Sequence, residues 1–155
     1  MVDRYSDTPD VVAHPPLIFG AGLLLGWAIQ RLHAWPFLPP TWRRPVATVL
    51  LLGGLVGLAG LVTFLRAQTS PNPRRPAARL VTGGPYRFTR NPMYLGFTFL
   101  YLGASAWMNS LWPVLLLPVV LIVMQRGVIA REEAYLERRF GAEYRAYRGR
   151  VRRWL

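Results

Sequence analysis

The chain has 155 residues, 52% of them hydrophobic and 13% aromatic, and 19 arginines without a single lysine outweigh seven acidic residues to give a net charge of +12. This length and apolar content suit one small polytopic helical domain, 1–155, and the absence of cysteine excludes disulfides, thiolate metal sites and cysteine nucleophiles. The arginines flank long apolar runs and no nucleic-acid recognition motif appears, so membrane lipids with anionic headgroups are the expected counterions and no nucleic acid is an expected partner.

Asp3, Asp7 and Asp10 make the leading segment acidic, where a cleavable signal would be basic, so the first apolar segment is expected to be retained. From Asp10 to Glu132 no acidic residue intervenes. The first span runs from Pro15 to Gln30 and continues into an aromatic, proline-rich stretch (His33, Trp35, Pro36, Phe37, Pro39, Pro40, Trp42) of the kind found at a membrane interface. Arg43, Arg44 and Arg66 bound the second, Pro45 to Leu65, whose length as a helix, about 31 Å, matches a hydrocarbon core. Spans one and two form an N-terminal helical pair, 15–65, in which Gly22, Gly26, Gly53, Gly57 and Gly60 offer small-residue faces for close packing.

An arginine-bearing loop follows, stiffened by Pro71, Pro73 and Pro76, in which Arg66, Arg74, Arg75 and Arg79 serve topology and lipid binding. The uncharged run from Asn91 to Gln125 is too long for one ordinary span. Asn109, Ser110 and Pro113 supply a turn near its middle, which predicts two short helices as a hairpin. Four spans put both termini and the arginine loop on one side. That side then holds 16 of the 19 arginines, so the positive-inside rule makes it cytoplasmic. The expected fold is an all-α integral membrane protein of four transmembrane helices, the last two a short hairpin, plus an amphipathic C-terminal cytoplasmic helix. A bacterial inner membrane is the expected location.

The region richest in chemistry runs from Arg79 to Gly96. Gly83, Gly84 and Pro85 force a turn and let a ligand approach the backbone, while Asn91 and Pro92 suit the N-cap and first residue of the third helix. A helix N-terminus beside Arg90 is also an anion site. On a helical wheel with Ile129 at zero, Leu136 and Phe140 fall within about 20°, and Glu132 and Glu133 at about −60° and +40°. The two carboxylates therefore straddle a buried stripe and need a partner. Salt bridges to loop arginines would satisfy them, as would a bound cation or ligand hydroxyls.

Three blocks of residues resemble a known family, the membrane-embedded methyltransferases that include isoprenylcysteine carboxyl methyltransferase and the phospholipid N-methyltransferases. They are Gly84-Pro85-Tyr86, then Arg90-Asn91-Pro92-Met93-Tyr94-Leu95-Gly96, then Glu132-Glu133 followed by Leu136, Phe140-Gly141, Tyr144, Tyr147 and Val151 to Leu155. Asn91 stands where the carboxyl methyltransferase branch usually has histidine, a departure that points to the phospholipid branch and its bacterial relatives. The resemblance implies an S-adenosyl-L-methionine-dependent enzyme with a cofactor-binding and catalytic core at 79–155 and a lipophilic or lipid substrate. It implies Val81, Gly83, Gly84, Tyr86, Arg90, Asn91, Tyr94, Glu132 and Glu133 as cofactor-binding residues and Arg90 and Glu133 as catalytic. In that assignment Arg90 takes the cofactor carboxylate, a glutamate its ammonium or ribose hydroxyls, and Tyr86 or Tyr94 its adenine or sulfonium, while Glu133 acts as base or positions the acceptor. No metal site is expected. Two other readings stand beside it: a non-catalytic, anionic-lipid-binding membrane protein, and a nicotinamide-dependent reductase, since sterol reductases resemble the same C-terminal block.

Overall fold

Pro15, Pro40 and Pro92 each open a helix, where the missing N–H costs nothing and the fixed φ suits the first turn. The computed structural model describes residues 8–70 and 76–155, and among them all regular structure is helical. The elements are α1 (Pro15–Leu32), α2 (Pro40–Gly53), α3 (Leu55–Arg66), a 3-10 turn (Gly84–Arg87), α4 (Pro92–Met108), α5 (Leu111–Met124), a π-turn (Gln125–Ile129) and α6 (Ala130–Arg150). Pro71, Pro73, Arg74 and Arg75, expected to stiffen and charge the loop, lie outside the described residues.

Two stretches, Pro40–Arg66 and Leu111–Arg150, are long and apolar enough to cross a membrane. The first begins at Pro40 rather than at Pro45, because a proline can open the helix there, and so carries Arg43 and Arg44 in its early turns. The Arg43 Nε donates to the Trp107 carbonyl at 2.7 Å. Large apolar side chains on these stretches stand open, among them Val49, Leu52, Leu58, Val119 and Ile122, as does Leu24 on α1. Exposed apolar side chains in this number suit hydrocarbon better than water.

The helix α4 is the hub and packs against α1, α2, α3 and α5. Glycine makes this possible where α3 crosses α4: a Cβ at Gly96 would lie 2.5 Å from the Gly57 backbone. The small-residue face expected on the second span is thus the face turned to α4, with Gly53 against Phe99 and Gly60 against Met93. Backbone cannot yield as a flexible side-chain tip can, so Gly96→Ala is expected to destabilise the helix bundle by about 1–3 kcal/mol. Thermal unfolding in detergent checks this against Gly20→Ala, where an added Cβ meets nothing within 4 Å. Equal melting temperatures for the two variants would disprove the close crossing.

The expected turn between α4 and α5 is present, and Asn109 ends α4 in the left-handed region at φ 50°. Its side-chain oxygen accepts from the Phe37 and Leu38 N–H groups at 3.1 and 2.9 Å. The Leu111 N–H donates to the Trp35 carbonyl and the Trp112 indole to the His33 carbonyl. The aromatic, proline-rich stretch is thereby tied across the hairpin end.

The C-terminal region departs from the single straight amphipathic helix that the wheel assumes. A π-turn joins α5 to α6, and the N–H of Val12 donates to the carbonyl of Gly127 within it at 3.1 Å. Such a turn advances the helical phase by one residue and so re-aims the side chains that follow. Further on, α6 breaks at Gly141 (φ 52°, ψ −119°). Positive φ is open to glycine at no steric cost. The chain folds back there: Arg148 reaches Glu137 at 3.1 Å, and Arg153 reaches Glu133, which a straight helix would hold about 30 Å away.

Candidate active site

The site is assembled where the loop before α4 meets the folded-back end of the chain. Gly84 takes φ +57° and packs on Thr63, which sets the 3-10 turn and sends Tyr86 inward. Tyr86, Val81, Tyr144 and Tyr147 form a buried cluster, extended by Phe64, Leu136 and Phe140. The Tyr147 hydroxyl donates to the Tyr86 carbonyl at 2.8 Å. The tail then runs against the loop: the Arg90 N–H donates to the Arg152 carbonyl at 2.9 Å, and Thr89 Oγ1 and Asn91 Nδ2 donate to that of Arg153 at 3.2 and 2.8 Å. Asn91 holds the N-cap position of α4, as expected, but its side chain makes no capping bond because it is committed to the tail.

The two adjacent glutamates have different partners. Glu133 is buried between two guanidinium groups, with Arg90 at 2.9 Å from Oε1 and Arg153 bonded to both carboxylate oxygens. Glu132 accepts a hydrogen bond from the Tyr94 hydroxyl at 2.6 Å and has no arginine partner among the described residues. It lies past Arg126, beyond the apolar run of α5. Burial in the protein pushes its carboxyl up to about 7; the Tyr94 bond opposes the shift and the Glu133 charge adds to it.

Both glutamates line a cleft that takes in about 850 Å³ of non-protein space, the open solvent at its mouth included. Val81, Tyr86, Arg90, Asn91 and Tyr94 line it too, so the fold brings most of the expected cofactor residues together. Gly83 and Gly84 do not belong to its lining. Arg79, expected to serve topology and lipid, does. The Tyr86 hydroxyl and the Arg90 Nε, buried donors in its wall, have no partner among the described residues. Burial raises the Tyr86 phenol well above its ordinary value, so it stays a proton donor at any physiological pH. Tyr135, Tyr144 and Tyr147 complete the wall, and Arg153 supports it. No role was read for these four from sequence, because the wheel treats α6 as straight. The signal available was the glycine at 141, eight residues after Glu133.

A second, almost wholly apolar groove, taking in about 1060 Å³ of non-protein space with the open solvent at its mouth, lies between the start of α1, α3 and α4. Gly54, Gly57 and Gly96 line it, and Met93 and Tyr94 line both it and the first cleft.

The family model described as phospholipid methyltransferase matches residues 46–143, nearly two thirds of the chain. The chain belongs to the phospholipid methyltransferase family. An uncharacterized protein of Haemophilus influenzae (strain ATCC 51907 / DSM 11121 / KW20 / Rd) is 41% identical over 63 residues, 41% of this chain and 100% of its own. The protein-S-isoprenylcysteine O-methyltransferase of Schizosaccharomyces pombe (strain 972 / ATCC 24843) is 39% identical over 72 residues, 46% of this chain and 30% of its own. The chain thus spans all of the first relative's length and under a third of the second's. No solved structure matches. Family membership points to a methyltransferase of the membrane-embedded kind, and the long apolar helices agree with it.

Proposed function

We propose that this member of the phospholipid methyltransferase family transfers the methyl group of S-adenosylmethionine to a lipophilic, membrane-associated acceptor at the cytoplasmic face of a bacterial inner membrane. Four spans (α1, the α2–α3 pair, α4 and α5) with both termini cytoplasmic suit the arginine distribution. The observation that carries the reading is the cleft itself: a family-matched chain buries two unpartnered donors, from Tyr86 and Arg90, next to a carboxylate at the end of its apolar helices.

That donor set fits the cofactor's acceptors. Arg90 would hold its carboxylate and the Tyr86 hydroxyl an acceptor of its nucleoside. Bound there, S-adenosylmethionine supplies a methyl group already activated by a sulfonium. The protein has then to align the acceptor and exclude water. The apolar groove suits the acceptor's hydrocarbon part, because it ends at Tyr94, whose hydroxyl holds Glu132. A carboxylate acceptor needs no base; an amine or thiol must lose a proton, and Glu132 is placed to take it. Glu133, read from sequence as the base, has both oxygens occupied by arginines. In this proposal it holds Arg90.

Calorimetric titration with S-adenosylhomocysteine tests the reading, with reduced nicotinamide adenine dinucleotide phosphate as the control. Saturable binding of the first alone is the expected result. Binding of the dinucleotide instead would favour a reductase, and binding of neither by a folded sample would favour a lipid-binding scaffold.

A further inference from the structure

The buried ion cluster beside the cleft draws one of its members, Arg153, from the C-terminal segment. Arg90, Glu133 and Arg153 form one contiguous ion cluster in which two guanidinium groups share one carboxylate. Its net charge is therefore +1. Side-chain exposures of 9% for Arg90 and 11% for Glu133 leave little water to screen it. Arg153 engages both oxygens of Glu133, through Nε to Oε1 and Nη2 to Oε2, whereas Arg90 touches Oε1 alone and keeps a buried Nε without an acceptor. The tail that brings Arg153 there is held by three further bonds, from Arg90, Thr89 and Asn91 to its carbonyls, and Trp154 packs on the main core. Arg153 also lies beyond the residues, 46–143, matched by the family model.

From this geometry we infer that Arg153 is a positioning residue that saturates Glu133 and so frees Arg90 to bind the carboxylate end of the ligand. Without Arg153 the cluster is neutral. Glu133 then has a vacant oxygen, and the fork geometry of Arg90 favours a bidentate pair with it over an external carboxylate. The consequence is selective, since only ligands bearing a carboxylate lose affinity. This role of Arg153 rests on the cofactor reading proposed above.

The test is calorimetric titration of the full-length protein in detergent with S-adenosylhomocysteine and with methylthioadenosine, which keeps the nucleoside thioether but lacks the amino-acid end. Arg153→Met is expected to weaken S-adenosylhomocysteine by about tenfold or more, the scale of a lost charge-assisted hydrogen bond, and methylthioadenosine far less. Combining it with Glu133→Gln returns the cluster to +1 and should recover most of the loss; Arg153→Lys, which keeps the charge, should retain most of the affinity. A purely structural tail would weaken both ligands in parallel, and the double variant would then bind worse than the single. That pattern would overturn the inference, as would unchanged affinity in Arg153→Met. Failure of the unaltered chain to bind S-adenosylhomocysteine would overturn the cofactor reading itself, a separate and distinguishable result. Should Arg153→Met not fold, the lysine variant and the double variant decide the matter by the same ratio of the two ligands.

Discussion

Replacing Glu132 with glutamine is expected to lower methyl transfer to a lipophilic amine or thiol by about 10²–10⁴-fold, the range a positioned general base contributes. The amide oxygen can still accept from the Tyr94 hydroxyl, so the wall of the cleft should keep its shape while losing the group that takes the proton. Binding of S-adenosylhomocysteine should fall much less than turnover, because the Arg90 and Tyr86 donors are untouched. The unaltered enzyme should show activity rising with pH through about 7, as the raised Glu132 carboxyl ionises, and the glutamine variant should lack that limb. The stability consequence has the opposite sign. A carboxyl raised from 4.5 to about 7 binds its proton more tightly when folded, so the stability it contributes is full below 4.5 and is lost as pH rises to about 7. The variant should accordingly lose less stability than the parent over that interval. Transfer of labelled methyl from S-adenosylmethionine into a total lipid extract, followed across pH, checks the first part. Undiminished turnover in Glu132→Gln would exclude it as the base.

Glu133→Ala is expected to act on the fold before it acts on the chemistry. Removing this carboxylate leaves Arg90, nearly buried, and Arg153 facing each other without a counterion. Breaking a buried ion pair from one side costs about 3–5 kcal/mol, and since Arg153 is one-third exposed the lower end, about 3 kcal/mol, applies here. The tail should loosen as well, which hydrogen exchange at the amides of residues 151–155 would report. Glu133→Gln, able to accept from one arginine, should fall between the parent and the alanine variant. A melting temperature unchanged in Glu133→Ala would show that the cluster contributes nothing to stability. The two adjacent glutamates thus separate by assay, one lowering turnover in a folded protein and the other lowering stability.

Much of this was legible in the residues. Long apolar runs bounded by arginine mark α1, the α2–α3 stretch, α4 and α5 within a few residues, because a membrane-length helix needs little beyond apolar continuity and a place to begin, whereas the break at Gly54 between α2 and α3 is not marked. Asn109 and Ser110 mark the turn between α4 and α5. Gly57 announces a close helix crossing, although not its partner, Gly96. The blocks at 84–86, 90–96 and 132–133 identify the family. The likeness in pattern also draws together Val81, Tyr86, Arg90, Asn91, Tyr94 and the two glutamates, all of which line one cleft.

Three features depended on contacts between residues far apart in the chain. Periodicity places Glu132 and Glu133 on either side of one apolar stripe, as near equivalents. Their different roles come from Tyr94 reaching one and two arginines reaching the other. A glycine within an amphipathic pattern is tolerated in a helix at modest cost, so residue 141 alone does not reveal a reversal. The burial of Tyr144 and Tyr147 against the loop at 81–86 stabilises one. That reversal brings Arg153 back to a carboxylate twenty residues upstream. Local sequence sets where helices can begin and which faces are apolar, whereas the neighbours of a charged group depend on how the chain returns.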